Sequence, residues 1–439
     1  MNFVNGKIVN ESECDSVLER IEEMLISTLK KPPLDVNQVI NACDTMVKNV
    51  ESLEVMKKLP ELGISKALTD IYMKQIKQML SAEAIRARMR IELGENYDKA
   101  VTLRYVHSHA TAVQTLTPLG VLFHITAGNV DGLPFVSILE GLLTGNINIV
   151  KLPKEEGGIT VLLLAELLKL APSLAEYVYV FDYSSKDVAA MQKLAKVADA
   201  IVIWGGDEAI SAVRRMALPN TRIIEWGHKI SFAYVTKEGA TVKSLEKLAY
   251  HICLTNQLFC SSCQGVFFDS DDIEDIYEFC EKFLPILEKA SQENPHALGE
   301  MAGLFIQAEL TIHDYQRRIE NQASATRIFR EQNVSITAYA DSQLEPSPMY
   351  RNIWVKPLKN DDIIKLRPYK GYLQTAALIC GKNEHEELAQ KLLRAGVVKV
   401  SDGREMSNYA CGEAHDGVFT LRCYTKWVSV QDYDQSNTE

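Results

Sequence analysis

A chain of 439 residues is longer than one small core needs, and it predicts two domains. A hydrophobic share of 46% with 24% charged residues is the composition of an ordinary globular protein. The formal net charge of −11 argues against general nucleic-acid or anionic-membrane binding, which needs clustered cations, but leaves room for an anionic small ligand in a local basic pocket.

Residues 11–100 read as largely helical. ESECDSVLERIEEMLISTLKK, VNQVINACDTMVKNVESL and SAEAIRARMRIELGENY carry apolar residues at three-and-four spacing, and Pro32–Pro33 separates the first two. From about residue 117 the pattern changes. PLGVLFHIT reads as a buried strand, LPFVSILEGLLTG as a helix stopped by Gly145, and NINIVKLP as a second strand. Then come a helix (GITVLLLAELLKLA), a strand (YVYVFDY), a helix (KDVAAMQKLAKVA), a strand (DAIVIWGG) and a helix (DEAISAVRRMA). Strands alternating with helices imply a parallel sheet with ligands at the carboxyl ends of its strands, so 117–225 reads as a Rossmann-like nucleotide-binding layer. It has no G-x-G-x-x-G, and any dinucleotide must be held differently.

After TRIIEWGHK a second α/β region begins with SFAYV, a helix over 243–253, a cysteine segment, GVFFD and the acidic helix IEDIYEFCEKFLPILEKA. Residues 290–345 are expected to be helical with polar loops. A last αβ unit, LQTAALICG and HEELAQKLLRAG, leads to the tail CGEAHDGVFTLRCYTKWVSV. The expected division is 1–228, N-terminal helices and the nucleotide-binding domain, completed by part of 400–439, and 229–400, the cysteine domain. No apolar run reaches the roughly 18–20 residues of a spanning helix, and MNFVNGKIVNESECDS lacks the pattern of a secretory signal. The odd count of nine cysteines then reads as reduced thiols in a cytoplasmic protein.

The chemistry centres on TNQLFCSSCQ at 255–264. Cys260 could be a buried packing thiol or a nucleophile; the small polar residues after it permit close approach of a substrate. Structural zinc wants four ligands, and no second pair is nearby. A thioredoxin-like pair belongs early in a βαβ unit, so Cys263 reads as a packing residue and no metal is expected.

Four segments taken in order resemble the aldehyde dehydrogenase superfamily. They are ITAGNVDGLP at 125–134, TGNINIVKLPKE at 144–155, IWGGDEAIS at 203–211, and IIEWGHK followed by TNQLFCSS, which separates Glu225 from Cys260 by 35 residues. QLFCSSCQ, GHKISF, the unusual GNV-x-GLP and the closing AHDGVFTLRCYTKWVSV are most similar to the LuxC-type acyl-CoA reductases over roughly residues 100–430. The resemblance implies an α/β, aldehyde dehydrogenase-like fold: a Rossmann-like cofactor domain, an α/β catalytic domain and a helical N-terminal region.

The resemblance also implies roles. Cys260 would take the acyl group of an acyl-CoA or acyl carrier, the Asn129 amide would stabilise the oxyanion, and a nicotinamide cofactor would reduce the acyl-enzyme to the aldehyde. Thr126, Lys151, Lys154, Trp204, Gly205 and Gly206 would hold that cofactor, with the helix after Gly206 approaching the pyrophosphate. Lys154 stands where many NAD-preferring members carry a Glu, so NADP(H) is expected over NAD(H), although a one-residue slip would place Glu155 there. Glu225 matches the residue that activates water in hydrolytic members. It keeps aldehyde oxidation to acid or acyl-CoA open, as it is also open whether the chain is a non-redox acyl-Cys transfer protein or a catalytically dead paralogue. His228 reads as a loop histidine satisfied by backbone, Trp204 as closing the strand end beside the cofactor or as core, and His415 with Asp416 as pocket lining or a turn. Expected partners are the acyl substrate, further copies of the chain as a dimer or tetramer, and acyl-transfer proteins.

Overall fold

The computed structural model describes residues 1–58, 66–107, 110–126, 132–153, 158–295, 303–312 and 326–431. It contains two compact units, one of Met1–Leu62, Thr69–Gly227 and Ala410–Glu439, the other of Gly63–Leu68 and His228–Tyr409.

Up to Gly227 the strands of the first unit are β1 (Asn2–Val4), β2 (Lys7–Val9), β3 (Val101–Arg104), β4 (Thr111–Pro118), β5 (Val121–Ile125), β6 (Ile147–Lys151), β7 (Val178–Phe181), β8 (Ala200–Trp204) and β9 (Arg222–Trp226). Seven of them form a sheet in the order β2-β1-β7-β6-β5-β8-β9. β5 to β9 are parallel, and β1 and β2 extend one edge antiparallel. VLFHI, INIVK and VYVF are buried along their whole length, as a sheet covered on both faces requires. The helix Glu11–Leu29 covers one face through Cys14, Leu18, Ile21 and Leu25, in one core with Phe123, Phe181 and Leu194. Asn10 starts it with a full capping box to Glu13, a feature worth about 1 kcal/mol.

The second unit adds β10 (Ile230–Val235), β11 (Cys263–Phe268), β12 (Arg327–Arg330), β13 (Ser335–Ala338), β14 (Asn352–Pro357), β15 (Leu373–Ile379) and β16 (Lys399–Ser401), in the order β12-β13-β14-β11-β10-β15-β16. The expectation of helix with polar loops across 290–345 holds for 303–312 and fails for 327–338. The helix Ile273–Glu293 stops at the start of that stretch, and β12 and β13 form an antiparallel pair on the sheet edge. Each is four residues long, too short for alternation to show, yet Phe329, Ile336 and Ala338 are core residues beside Phe279 and Phe283. The largely helical reading of 11–100 holds, but it missed β1 and β2 before it. The reading also missed a three-stranded sheet in which β17 (Thr425–Gln431) pairs with β4 over seven residues and β4 with β3. Among the described residues no helix is long and apolar enough to cross a membrane.

Candidate active site

Cys260 lies on the turn between the helix Val242–Thr255 and β11. The helix ends because Asn256 turns left-handed, at φ 46°, and Gln257 follows at φ 62°. Neither is glycine, so both conformations need support from outside the turn. The support is a buried polar network. Gln257 accepts from the Arg351 main-chain N–H at 2.9 Å and donates to Ser347 Oγ at 2.8 Å, while Gln264 Nε2 donates to the Gln257 carbonyl at 3.0 Å. The Arg351 Nε donates to Asn256 Oδ1 at 3.0 Å. Beyond these, Ser262 Oγ accepts from the Phe259 N–H, Ser261 Oγ meets Ser407 Oγ, and Ser231 Oγ donates to the Cys260 carbonyl at 2.7 Å. Gln374 Nε2 stands 3.4 Å from the Cys260 sulfur. The Asn-Gln lead-in therefore fixes the backbone, and its side chains are buried.

The two cysteines part company. Cys260 is half-buried, while Cys263 begins β11, is fully buried, and has its thiol pushed up to about 12 by burial. Among the described residues none of the nine cysteines is joined in a disulfide. His251, on the helix before the turn, is buried, bonded to the Ser261 backbone, and held down to about 4 by desolvation. Ser231, His251, Ser347, Arg351 and Gln374 were not singled out from the sequence. Most are far from the turn along the chain, and no spacing rule connects them to it.

In the first unit the sheet order reverses direction between β5 and β8, the switch point where open α/β sheets bind ligands. Ile125 and Ile203 are in register, so Thr126 and Trp204 follow side by side at the carboxyl edge. Thr126 Oγ1 donates to the Lys151 carbonyl at 3.1 Å, across the ends of β5 and β6. Lys151 is buried, which pushes its ammonium pKa down, and among the described residues no carboxylate lies within ion-pair distance of it. A desolvated cation at a ligand-binding edge fits an anionic or polyhydroxyl group such as a nucleotide.

Trp204 stacks on Trp226 at 5.2 Å, and the His415 ring stands edge-on to both, at 5.6 and 5.1 Å. His415 also forms a tight bridge with Val418, so it both makes a turn and lines the strand ends. The buried Trp226 indole N–H has no acceptor among the described residues. The Gly205 N–H donates to the Trp226 carbonyl at 3.1 Å, and a Cβ at Gly205 would stand 3.2 Å from that of Ala209, so the turn is close-packed. Gly206 caps the helix Asp207–Met216. Its first turn carries Asp207 and Glu208, which favour the helix dipole but oppose an anion at that N-terminus. Asn129, Lys154 and Glu155 lie outside the described residues.

Glu225 sits on β9 in register with Ile203, and Arg214 holds its carboxylate. His228 is exposed, in the other unit. The structure thus gathers Thr126, Lys151, Trp204, Gly205, Gly206 and Glu225 at one edge of the first unit's sheet, and carries Cys260 on the second unit. Among the described residues no group of three or more His, Cys, Asp or Glu could hold a metal ion.

Solved structures with this architecture are aldehyde dehydrogenases. A lactaldehyde dehydrogenase superposes with a TM-score of 0.67 at 15% identity, over 99% of this chain and 96% of its own. The glyceraldehyde-3-phosphate dehydrogenase GapN from Methanocaldococcus jannaschii, complexed with NADP, gives 0.65 at 11% identity over 97% and 95%. Among curated proteins, the long-chain acyl-protein thioester reductase 2 of Photobacterium leiognathi is 22% identical, covering 98% of this chain and 87% of that one. The long-chain acyl-protein thioester reductase of Vibrio harveyi is 23% identical over 90% and 83%. That of Aliivibrio fischeri is 24% identical, and its match covers 71% of this chain but only 64% of the relative. The family model of the acyl-CoA reductases called LuxC matches residues 32–427. With its aldehyde dehydrogenase fold and a match over nearly its whole length, the chain belongs to the LuxC acyl-CoA reductase family.

Proposed function

We propose that the protein reduces a long-chain acyl thioester to the aldehyde through an acyl group carried on Cys260. The observation that supports this most directly is the contrast at TNQLFCSSCQ: one thiol is packed away, and the other is half-exposed on a turn whose backbone is bonded at nearly every residue. Fixing a nucleophile in this way removes the entropy of orienting it. The curated relatives named as long-chain acyl-protein thioester reductases support this substrate class.

The Cys260 thiolate attacks the thioester carbon, the S–C bond to the carrier breaks, and the carrier leaves as a thiol. Cysteine suits both halves of the task, being a strong nucleophile and a good leaving group. Asn129 is the proposed side-chain donor to the oxyanion, a contribution of about 3 kcal/mol where such donors have been removed elsewhere. Held by Lys151 and Thr126, a nicotinamide cofactor would supply the hydride that takes the enzyme thioester to the aldehyde level. Collapse of the resulting thiohemiacetal restores the Cys260 thiolate and releases the aldehyde.

Lys151 and Thr126 would hold the nucleotide at the edge of β5 and β6, with Trp204, Gly205 and Gly206 beside it. Lys154 is the residue that favours NADP(H) over NAD(H), through a 2′-phosphate. Glu225 is assigned no step, since its carboxylate is bonded to Arg214. Subunit pairing as a dimer or tetramer, and a protein partner that delivers the acyl group, belong to the same proposal.

The test is cofactor consumption with acyl-CoAs of increasing chain length, quantifying aldehyde and acid. NADPH oxidation with aldehyde as the product, lost in Cys260→Ala, is expected. Acid as the main product overturns the direction, and binding of neither NADPH nor NADH leaves the acyl-transfer reading in its place.

A further inference from the structure

Arg351 is about 1% exposed, and among the described residues none of the acceptors around its guanidinium is a carboxylate. Nη1 donates to the carbonyl and hydroxyl of Ser291, at 3.2 and 2.5 Å, and Nη2 to the carbonyls of Cys253 and Asn294, at 3.3 and 2.6 Å. Nε donates to Asn256 Oδ1. These acceptors are the last turns and caps of two helices, Val242–Thr255 and Ile273–Glu293. Helix C-termini present unpaired carbonyls and the negative end of the helix dipole, so two of them converge on one buried cation. That convergence offsets a desolvation cost that would otherwise displace an arginine without an acid.

The backbone around Arg351 is equally committed. Met349, Tyr350 and Arg351 are consecutive left-handed residues, at φ 69°, 49° and 69°, and none is glycine. Single left-handed residues are common at turns, whereas a run of three costs on the order of 1 kcal/mol or more per residue and persists only where its surroundings enforce it. The run brings the Tyr350 N–H to the Asn256 carbonyl, at 3.0 Å, and the Arg351 N–H to Gln257 Oε1. Both left-handed residues leading into Cys260 are therefore held from the same short segment, main chain and side chain together.

We propose that Arg351 is the positioning residue of the Cys260 turn. By locking Asn256 to the ends of two helices and Gln257 to its own main chain, it sets the path on which the chain enters Cys260. The proposal rests on Cys260 being the acyl-accepting thiol. Arg351 touches neither substrate nor cofactor in it, and acts through Asn256 and Gln257.

The test uses full-length Arg351→Met, Arg351→Lys, Asn256→Gly and Cys260→Ala, each assayed well below its own melting temperature. Two readouts go beyond folding: the pH profile of Cys260 alkylation by iodoacetamide, read by peptide mass spectrometry, and the split between kcat and KM for a long-chain acyl-CoA. Arg351→Met is expected to slow alkylation and to lower kcat by about tenfold to a hundredfold, the scale of a small misplacement of a reacting group, with NADPH binding unchanged. Arg351→Lys, which keeps the charge but cannot span both helix ends, should recover part of the loss. If Arg351→Met does not fold, Asn256→Gly carries the test, because glycine keeps the left-handed turn and deletes only the contact to Nε. Alkylation and kcat at the wild-type level in folded Arg351→Met, or in Asn256→Gly where that variant stands in, overturn the proposal. Turnover retained by Cys260→Ala overturns the assignment of the nucleophile instead, and the alkylation profiles still decide the role of Arg351.

Discussion

Arg214 grips Glu225 by both carboxylate oxygens, Nε to Oε1 at 2.5 Å and Nη2 to Oε2 at 2.6 Å. A carboxylate engaged by a guanidinium fork has two of its roughly four acceptor sites taken up by fixed donors, which compete with water for it. The contact also pushes the Arg214 pKa up through the hydrogen bonds and charge of Glu225. In the proposed function Glu225, held by Arg214, has no part in releasing the acyl group. Glu225→Gln is expected to keep aldehyde formation within about threefold of wild type, while Arg214→Ala raises the share of acid. Product analysis by gas chromatography checks both. A loss of the 10²–10⁴ typical of a general base, in Glu225→Gln, would give Glu225 the catalytic role.

Nucleotide binding should depend on Lys151 independently of the thiol. Its ammonium is buried at the end of β6 with no carboxylate at ion-pair distance among the described residues. Lys151→Met keeps the apolar stem and removes the charge. The expected result is roughly a tenfold rise in the Kd for NADPH, from fluorescence titration, with Cys260 alkylation unaltered. Unchanged NADPH affinity would move the cofactor site away from the ends of β5 and β6.

How much of this was legible in the sequence depends on the length of the interactions. The β5 to β8 layer was readable because its strands are largely apolar runs bounded by turn residues, and Gly145 and Gly206 mark the turns, whereas RIIEW of β9, with an arginine and a glutamate, was not assigned as a strand. β12 and β13 were not, since RIFR and SITA are short and gain their identity only by pairing. The same holds for β17, whose partner β4 lies about three hundred residues earlier. At the candidate site, Cys260 stood out because its neighbours resemble a known motif, while the residues that brace it did not. Arg351 is 95 residues from Asn256, in a segment, PMYRN, with no local signature. A buried arginine is visible only once its acceptors are assembled around it.

Acid should destabilise the protein through two buried histidines. His124, on β5, meets Ser137 Oγ at 2.7 Å and Asn148 Oδ1 at 3.0 Å, and burial holds its pKa down to about 4. His251 is likewise held down to about 4 by burial. Unfolded, both return to about 6.5, so between pH 6.5 and 4 the unfolded chain binds more protons than the folded one. Their contribution is fully present above pH 6.5 and is lost as pH falls toward 4, at up to about 1.4 kcal/mol per pH unit for each. The melting midpoint is expected to fall steadily between pH 7 and 5. A flat profile in that window would mean the imidazoles are not buried neutral.

Gly141 tests the packing beneath the nucleotide edge. Its Cα faces Asn148, and a Cβ would stand 1.8 Å from Asn148 Oδ1, the atom that accepts from the His124 ring. Asn148 cannot step aside cheaply, because it is fully buried and its Nδ2 donates to the Asn146 carbonyl at 2.9 Å. Trp204 Nε1 joins the same chain through Ser137 Oγ, at 3.3 Å. Gly141→Ala is therefore expected to cost roughly 1–3 kcal/mol of stability, read from denaturant midpoints, despite alanine being the better helix former. Wild-type stability in that variant would show that the network has slack.

The C-x-x-C spacing yields the sharpest separation of roles. Cys263 is fully buried with its thiol pushed up to about 12, and its Sγ lies 3.2 Å from the Gly265 carbonyl. At neutral pH it is a protonated packing residue with an acceptor in place, so Cys263→Ser can keep the hydrogen bond and is expected to retain activity within about threefold. Cys260→Ser offers a far weaker nucleophile and leaving group on the same turn, and should lower acyl transfer by at least about a thousandfold. Alkylation mass spectrometry on the folded protein supplies the independent check. Cys260 and the exposed Cys411 should label first, and Cys43, Cys253 and Cys263, all held near 12 by burial, only after denaturation. A reversible loss of activity on mild oxidation that Cys263→Ser abolishes would reinstate the pair as a dithiol switch. Equal labelling of Cys260 and Cys263 in the native state would contradict the division between a turn thiol and a core thiol on which the proposed chemistry depends.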